Sequence, residues 1–275
     1  MRRPELLVLL AAFIWGVAFL FQKTAMQSVG PFTFLFARSA LAALALAPFV
    51  RRETGGSLWP WAPLAGLAFF VAAGFQQSGI VTASVTHTSF LTSLYVVLTP
   101  FAAWVAFRRP PAREVWIGAG LALAGTWAMA GGDVRAFGRG EWLAIAGAVA
   151  WAAYMVLNQS GSGTGRPLGF TFGVFVTVAV LSLPVALLAE PITLPSLKAA
   201  LPEMLFVGLC SSALTFGLFS IALRHVSGAR AAVILSSEAL FAALAGMVVL
   251  GERLDALGWA GAALILSAVV VVQRR

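Results

Sequence analysis

The sequence predicts an all-α polytopic membrane protein with ten transmembrane helices, arranged as two inverted repeats of five helices. Three observations predict this fold class. Of the 275 residues, 60% are hydrophobic and only 10% are charged, whereas about a quarter of the residues in a soluble domain are charged. The apolar residues fall into ten runs, each near the roughly 20 residues that cross a bilayer. Matching residues also recur at constant offsets between the two halves of the chain.

The ten predicted spans follow one another closely, and no connection is long enough to hold a soluble domain. Short segments rich in Gly and Pro separate the spans, among them 54–56, 109–111, 131–133 and 161–167. The approximate bounds of the predicted spans are 5–23, 31–50, 60–81, 85–107, 113–131, 141–158, 168–188, 201–223, 228–250 and 255–273.

Lysine and arginine residues predict the orientation of the spans. With a cytoplasmic N-terminus, twelve basic residues fall in inside segments, namely Arg2, Arg3, Arg51, Arg52, Arg108, Arg109, Arg113, Arg166, Arg224, Arg230, Arg274 and Arg275. Five fall outside, namely Lys23, Arg135, Arg139, Lys198 and Arg253. This excess predicts that both termini are cytoplasmic in a multi-pass protein of the cell (inner) membrane. The net charge of +8 is spread over helix ends, which argues against nucleic-acid binding.

An internal duplication accounts for the number of spans. One constant offset relates Glu5 to Glu141, Trp15 to Trp151, Pro31 to Pro167 and Pro48 to Pro184, and a slightly larger offset relates Trp116 to Trp259. The predicted repeats are residues 1–131 and 141–275. Because each repeat has an odd number of spans, the two insert with opposite orientation, as in many secondary transporters that bind substrate near the midplane.

A polar stripe crosses the fourth predicted span. Ser84, Thr88, Thr92, Tyr95 and Thr99 recur at intervals of three and four residues, which places them on one face of a helix. Lipid cannot form hydrogen bonds with such a stripe, so it must face protein or water. We expect the stripe to help line a transport cavity.

Three ionisable residues are candidates for function. Glu238 lies near the middle of the ninth span, where it is suited to proton coupling or to binding a substrate ammonium; the alternative is a neutral acid bonded to a neighbouring helix. Arg38 lies about 10 Å inside the second span, where it can bind a substrate carboxylate, reach towards the interface or bond a carbonyl. His87 is either a titrating group or a hydrogen-bonded residue at the start of a helix.

Uncharged polar and aromatic side chains complete the predicted site. Of Gln76 and Gln77, we expect one to face the cavity and the other to bond a neighbouring helix. Hydroxyl groups of the eighth span are either cavity donors or bond their own backbone. Trp and Tyr usually lie at membrane interfaces, so those in mid-span are expected to face the cavity, although aromatic packing also explains them. The predicted substrate-binding residues are Trp15, Arg38, Gln76, Gln77, His87, Thr88, Tyr95, Trp151, Tyr154, Ser212, Thr215 and Glu238.

Prolines and glycines suggest where helices bend and where they meet. Pro48, Pro100 and Pro184 are predicted gating positions, and the alternative is a static kink or a helix end. Glycines of the fifth and tenth spans, including Gly125 and Gly261, form small-residue faces that allow close packing. We expect these two spans to pack on each other or on a second protomer, in a monomer or a weak homodimer.

Five segments together resemble the drug/metabolite transporter superfamily, in its EamA-type branch, over the whole chain. These segments are FIWG (13–16), FLFAR (34–38), LYVVLTP (94–100), EALFAAL (238–244) and LGERL (250–254). Within this branch the chain is most similar to YddG-type aromatic amino-acid exporters. The resemblance implies ten helices in two inverted repeats and efflux of small metabolites from the cytoplasm. Two departures from the family pattern are Ala239, where a proline is common, and Arg108-Arg109, where an acidic residue is common.

The sequence therefore predicts a secondary transporter, not an enzyme, that exports small amphipathic metabolites such as amino acids, including aromatic ones, by alternating access. One alternative is a multidrug or other metabolite exporter of the same fold. Alternatives from other classes are an intramembrane enzyme acting on lipid-linked substrates and a non-transporting scaffold. The expected partners are a small-molecule substrate and the lipid bilayer, and proton coupling is open. No cofactor or metal is expected, because Cys210 is the single cysteine and no metal or nucleophile motif occurs.

Overall fold

The structure is a computed structural model that describes residues 3–129, 137–251 and 253–273. Several residues named above lie outside the described residues, namely Arg2, the connection 131–133, Arg135, Glu252, Arg274 and Arg275. The described residues contain helices and no strands. The helices are α1 (Arg3–Ala25), α2 (Pro31–Val50), α3 (Trp61–Ile80), α4 (Val85–Thr92), α5 (Tyr95–Phe107), α6 (Arg113–Met129), α7 (Arg139–Ser162), α8 (Pro167–Ala189), α9 (Leu194–Ala199), α10 (Leu201–Leu205), a π-helix (Phe206–Leu214), α11 (Thr215–Ala222), α12 (Gly228–Leu235), α13 (Ser237–Leu250) and α14 (Ala256–Gln273).

Eight helical stretches in the described part of the chain are long and apolar enough to cross a membrane. They are Pro4–Ala25, Pro31–Val50, Val85–Phe107, Arg139–Ser162, Pro167–Ala189, Leu201–Ala222, Gly228–Val249 and Ala256–Gln273. The other two predicted spans correspond to α3 and α6. Gln76 and Gln77 lower the hydropathy of α3, and α6 is described over only 17 residues. Crossing is therefore supported for eight of the ten predicted spans and stays a prediction for α3 and α6.

The fourth and ninth predicted spans each cross as one helical stretch but contain one irregular turn. At Ser93, Leu94 and Ser236 the backbone keeps right-handed helical angles. The turn tightens there: the Leu94 N–H donates to the Leu91 carbonyl at 3.3 Å, and the Ala239 N–H donates to the Ser236 carbonyl at 3.2 Å. We call these two irregular turns, after α4 and after α12, the breaks of the two spans. Serine hydroxyls at the breaks bond the backbone of the preceding turn: Ser93 Oγ donates to the Ser89 carbonyl at 2.8 Å, and Ser236 Oγ donates to the Val233 carbonyl at 2.7 Å. Serine competes in this way with the regular helical hydrogen bonds and favours a break.

Two further bounds differ from the prediction. The sixth span continues as α7 to Ser162, so part of the predicted linker 161–167 is helical. The hydroxyl of Ser162 donates to Asn158 Oδ1 at 2.8 Å, and this bond holds the last turn of α7. The eighth span contains the π-helix, whose wider turns alter the direction of its side chains.

Hydrogen bonds between connections define two opposite faces of the molecule. On the starting face, where α1 begins, the backbone N–H of Gly56 donates to the Thr164 carbonyl at 2.9 Å, so the connection after α2 meets the one after α7. On the opposite face, Lys23 Nζ at the end of α1 donates to the carbonyls of Ile80 and Ala83 at 2.8 and 2.9 Å. The long helices therefore run between these two faces.

Helix packing is reciprocal between the two halves. The first helix of each half lies against the third helix of the other half: α7 packs on α3, and α1 packs on the π-helix and α11. The second helices, α2 and α8, pack on each other, and so do the last helices, α6 and α14. At the latter contact, a Cβ atom placed on Gly125 would lie 2.6 Å from the carbonyl oxygen of Gly261. The predicted packing of the glycine faces on each other is thus observed within one chain.

Candidate functional site

A cavity lies in the centre of the helix bundle, between the two faces. Its volume is about 50 Å³. The cavity is thus a narrow cleft that side chains nearly fill. Its walls come from both halves of the chain and consist of Trp15, Gln22, Arg38, Gln76, Thr92, Tyr95, Trp151, Tyr154, Met155, Ser211, Phe216, Leu235 and Glu238.

Two indole rings at matching positions, Trp15 and Trp151, form aromatic walls of this central cavity. The Trp15 ring lies 4.4 Å from the Phe216 ring, and the Trp151 ring lies 4.9 Å from the Phe69 ring. Each indole N–H is bonded to the third helix of the opposite half. Trp15 Nε1 donates to the Ser211 carbonyl at 3.0 Å, and Trp151 Nε1 donates to Gln76 Oε1 at 2.8 Å. These bonds hold both rings in place with their polar edges satisfied.

The guanidinium of Arg38 is the positive group of the cavity. The residue is 5% exposed, and its Nε donates to Ser212 Oγ at 3.0 Å. The guanidinium carbon lies 5.9 Å from the centre of the Phe69 ring. Within the described residues, Arg38 has no carboxylate partner, and its two terminal nitrogens make no hydrogen bond. They are available to an anion in the cavity.

The carboxyl group of Glu238 is the acidic group of the cavity. It lies in the first turn of α13, immediately after the break at Ser236. Among the described residues, it makes no hydrogen bond or ion pair. Tyr95 occupies the corresponding first turn of α5, after the other break, and also lines the cavity. The two helix breaks therefore present an acidic and a phenolic group to the same space.

Seven of the twelve residues predicted to bind substrate line this cavity, namely Trp15, Arg38, Gln76, Tyr95, Trp151, Tyr154 and Glu238. They come from helices far apart in the sequence, and the fold brings them together. Gln76 and Gln77 divide as predicted: Gln76 faces the cavity, while Gln77 is fully buried and its amide donates to Gln22.

The remaining predicted residues lie outside the cavity walls. Thr88 Oγ1 donates to the Ser84 carbonyl at 2.8 Å, and Thr215 Oγ1 donates to the Cys210 carbonyl at 2.7 Å, so both bond their own helix. Ser212 touches the site indirectly, as the acceptor for Arg38. His87 lies on the opposite face and pairs with Glu141 at 3.5 Å.

The expected polar stripe is only partly a cavity wall, which corrects the prediction from its spacing. Thr92 and Tyr95 line the cavity. Ser84 instead caps α4 by accepting the backbone N–H of His87 at 3.0 Å. Thr99 is completely buried, and its hydroxyl has no hydrogen-bond partner among the residues that the structure describes. Only the two stripe residues that flank the break, Thr92 and Tyr95, therefore line the cavity.

Six cavity residues were missed by the predicted set: Gln22, Thr92, Met155, Ser211, Phe216 and Leu235. Thr92 belonged to the stripe, and Ser211 neighbours Ser212, so spacing carried a signal for both. Gln22 lies in the last turn of α1 and carried none. Its side-chain carbonyl accepts a hydrogen bond from the amide of Gln77, on α3.

The predicted gating prolines lie within α2, α5 and α8, which are uninterrupted at Pro48, Pro100 and Pro184. The irregular turns of the fourth and ninth spans begin at Ser93 and Ser236 instead. In the described part of the chain, no three His, Cys, Asp or Glu side chains group closely enough to hold a metal ion.

Comparison with known proteins gives a consistent result. The EamA-like transporter family matches the chain twice, over residues 2–131 and 138–274. An uncharacterized transporter, YwfM, of Bacillus subtilis (strain 168) is 28% identical over 98% of this chain and 93% of its own length. An uncharacterized transporter of Archaeoglobus fulgidus is 29% identical over 97% of this chain and 84% of its own length. A solved crystal structure shares the fold with a TM-score of 0.80, at 18% identity over 99% of this chain and 97% of that one.

Proposed function

Because the chain belongs to the EamA-like transporter family, we propose that it exports small amphipathic metabolites, in particular amino acids including aromatic ones, by alternating access around the central cavity. The observation that carries the proposal is the presence of one basic and one acidic side chain on the cavity walls. Arg38 and Glu238 line one space, and neither has an ionic partner among the described residues. Aromatic rings lie around them.

This arrangement is complementary to an amino-acid zwitterion. The free nitrogens of Arg38 suit a carboxylate, which a guanidinium binds in a planar, two-point geometry. The carboxylate of Glu238 suits an ammonium, and the faces of Trp15 and Trp151 attract the same cation. Charges in a membrane interior are costly unless they are paired or have a functional partner. A substrate that brings one charge of each sign satisfies both groups at once.

The proposal includes the membrane arrangement. Ten crossings form two inverted repeats, residues 1–131 and 141–275, and the starting face is cytoplasmic in the cell inner membrane. The reciprocal packing of the halves and the paired helix breaks support this arrangement. Interrupted helices at the contact between repeats are where transporters of this kind bind substrate. Pro48, Pro100 and Pro184 are proposed to allow bending as the halves move.

A related candidate is an exporter of apolar drugs or other metabolites with the same fold. Met155, Phe216 and Leu235 form an apolar part of the wall, and this observation favours such ligands. An enzyme acting on lipid-linked substrates is less consistent with the site. It needs two catalytic groups in one place, and His87 lies away from Glu238, on the opposite face.

Counterflow in proteoliposomes tests the proposal. The purified protein is reconstituted with unlabelled amino acids inside, and the entry of labelled phenylalanine, leucine or threonine is followed with and without a pH gradient. Uptake above that of empty liposomes is expected, with phenylalanine strongest. Uptake that rises with the gradient in the parent, but not in Glu238→Gln, assigns proton coupling to Glu238. Absence of uptake for all three refutes the amino-acid assignment, and the same vesicles loaded with apolar cationic drugs then test the related candidate.

A further inference from the structure

Among the described residues, one ion pair on each face connects the halves of the chain. On the starting face, Arg230 Nη2 lies 3.6 Å from Glu5 Oε1. On the opposite face, His87 Nδ1 lies 3.5 Å from Glu141 Oε1. Each pair joins the first turn of the first helix of one half to the first turn of the helix that precedes the break in the other half. The helices joined are α1 with α12, and α7 with α4.

The two ion pairs occupy equivalent positions in the two halves. Glu5 and Glu141 are related by the first offset of the duplication, and His87 and Arg230 are related by the second, larger offset. The local geometry also matches. Ser84 Oγ accepts the backbone N–H of His87 at 3.0 Å, and Ser227 Oγ accepts the backbone N–H of Arg230 at 3.3 Å. Each cation therefore lies three residues beyond a serine that caps its helix.

All four helices that these pairs join also line the central cavity. Thr92 of α4 and Trp151 of α7 are cavity residues beyond the His87 pair, and Trp15 of α1 and Leu235 of α12 are cavity residues beyond the Arg230 pair. In α4 and α12, the break in the span comes directly after the cavity residue. Each half-helix therefore runs from an ion pair at one end to an irregular turn beside the cavity at the other.

We propose that the two ion pairs are matched closures of the cavity, and that a proton on His87 strengthens the closure on the opposite face only. The guanidinium of Arg230 keeps its charge at all physiological pH values. An imidazole is positive only when protonated, and histidine changes charge between about pH 5 and 8. The closure at His87 is therefore tight in acid and loosens as the pH rises, while the closure at Arg230 is indifferent to pH. This inference rests on the proposed alternating access.

The charged groups around His87 leave Glu141 as its ionic partner. Glu141 Oε2 accepts the backbone N–H of Gly138 at 3.0 Å, so the carboxylate is anchored at the start of α7. On α1, the ammonium of Lys23 is bonded to backbone carbonyls that include that of Ile80.

Other elements packed on α4 contribute little charge at this face. The helix α3 has no titratable residue, and α6 has its two, Arg113 and Glu114, at its starting-face end. The facing residues of α5 and α13 are Tyr95 and Glu238, at the cavity. The exposed Arg139 begins α7, and Arg253 follows α13; Asp133 and Arg135 lie outside the described residues.

Cysteine accessibility tests the closure without any substrate. Thr92 lies five residues beyond His87 and lines the cavity. A Thr92→Cys variant is made in a Cys210→Ala background, so that it carries a single thiol. Intact cells are treated with a membrane-impermeant maleimide at pH values from 5.5 to 8.0. Because ionisation of a thiol itself speeds labelling, each rate is divided by that of the same protein carrying His87→Arg, which keeps a permanent cation at position 87.

The labelling rate divided by that of the His87→Arg protein is expected to be near one at pH 5.5. This ratio should rise about two- to fivefold by pH 8, which corresponds to the free energy of one partly exposed ion pair. When Glu141→Gln is added, the thiol at position 92 should be labelled rapidly at every pH, and the ratio of labelling rates should not change with pH. Glu5→Gln is the matched control, and it should leave the rise intact because it acts on the other face. A ratio that stays flat while Glu141→Gln labels like the parent refutes the closure. If counterflow shows no amino-acid uptake while the labelling ratio still rises with pH, the amino-acid substrate is refuted and the closure is not.

Discussion

Glu53 and Glu190 cap each other's helices. Glu53, which follows α2, accepts the backbone N–H groups of Leu168 and Gly169 at the start of α8, at 3.0 and 2.7 Å. Glu190, which follows α8, accepts those of Phe32 and Thr33 at the start of α2, both at 2.8 Å. The two helices are therefore antiparallel and are joined by a carboxylate at each end, where the positive end of a helix dipole attracts negative charge.

We predict that Glu53→Ala and Glu190→Ala each lower the free energy of unfolding by about 1–2 kcal/mol, the loss typical of a helix cap. Because the two caps lie on opposite faces and share no partner, the double variant should show the sum of the two losses. Thermal unfolding in detergent, followed by tryptophan fluorescence, measures both. A double variant no less stable than either single one contradicts independent capping.

The contact between α6 and α14 gives a prediction with a matched control. A Cβ on Gly125 would lie 2.6 Å from the Gly261 carbonyl oxygen, whereas one on Gly120, in the same helix, meets nothing within 4 Å. Gly125→Ala should therefore destabilise the protein by about 1–3 kcal/mol through overpacking. Gly120→Ala should be neutral or slightly stabilising because alanine favours helices. Equal melting points for the two variants would show that the helices separate at no cost.

Two adjacent serines in the π-helix should differ in their effect on substrate binding. Ser212 Oγ accepts the hydrogen bond of Arg38 Nε, while Ser211 Oγ is buried without a hydrogen-bond partner in the described part of the chain. Ser212→Ala should weaken substrate binding about fivefold, which corresponds to the roughly 1 kcal/mol of one hydrogen bond. Ser211→Ala keeps the carbonyl that Trp15 uses and should bind as the parent does. The dissociation constants are measured by calorimetry; equal weakening by both variants would contradict the role of Ser212.

Arg38 and Glu238 should discriminate between opposite ends of a substrate. We predict that Arg38→Gln weakens binding of phenylalanine and of phenylpropionate at least tenfold but leaves phenylalaninamide unaffected, because the amide lacks the carboxylate. Glu238→Gln should weaken binding of phenylalanine and of phenylalaninamide. It should leave binding of phenylpropionate unchanged, because phenylpropionate lacks the ammonium. Equilibrium binding in detergent measures this without turnover. Uniform loss of all three ligands in both variants would indicate a structural role for the two charges.

The sequence predicted the helices closely, because the length and hydropathy of a membrane span are local properties of the chain. The bounds of α2 were predicted to the residue, and those of α3 within one residue at each end. The matching of Glu5 with Glu141 and of Trp15 with Trp151 was also visible, since a duplication leaves its offset in the sequence. The breaks at Ser93 and Ser236 were not predicted. A serine inside a span can bond backward, face a cavity or bond a neighbour, and its spacing is the same in each case.

The sequence by itself thus determined that this protein lies in the membrane, where its long helices lie to within a few residues, and which polar groups lie at a depth where they need partners. Only the tertiary structure decided which partner each one has. Gln76 faces the cavity while Gln77 bonds Gln22, and Arg38 and Glu238, from opposite halves of the chain, meet the same space. Helical periodicity predicts the direction in which a side chain leaves its helix. What it meets there depends on the packing of the other helices, which no local pattern contains.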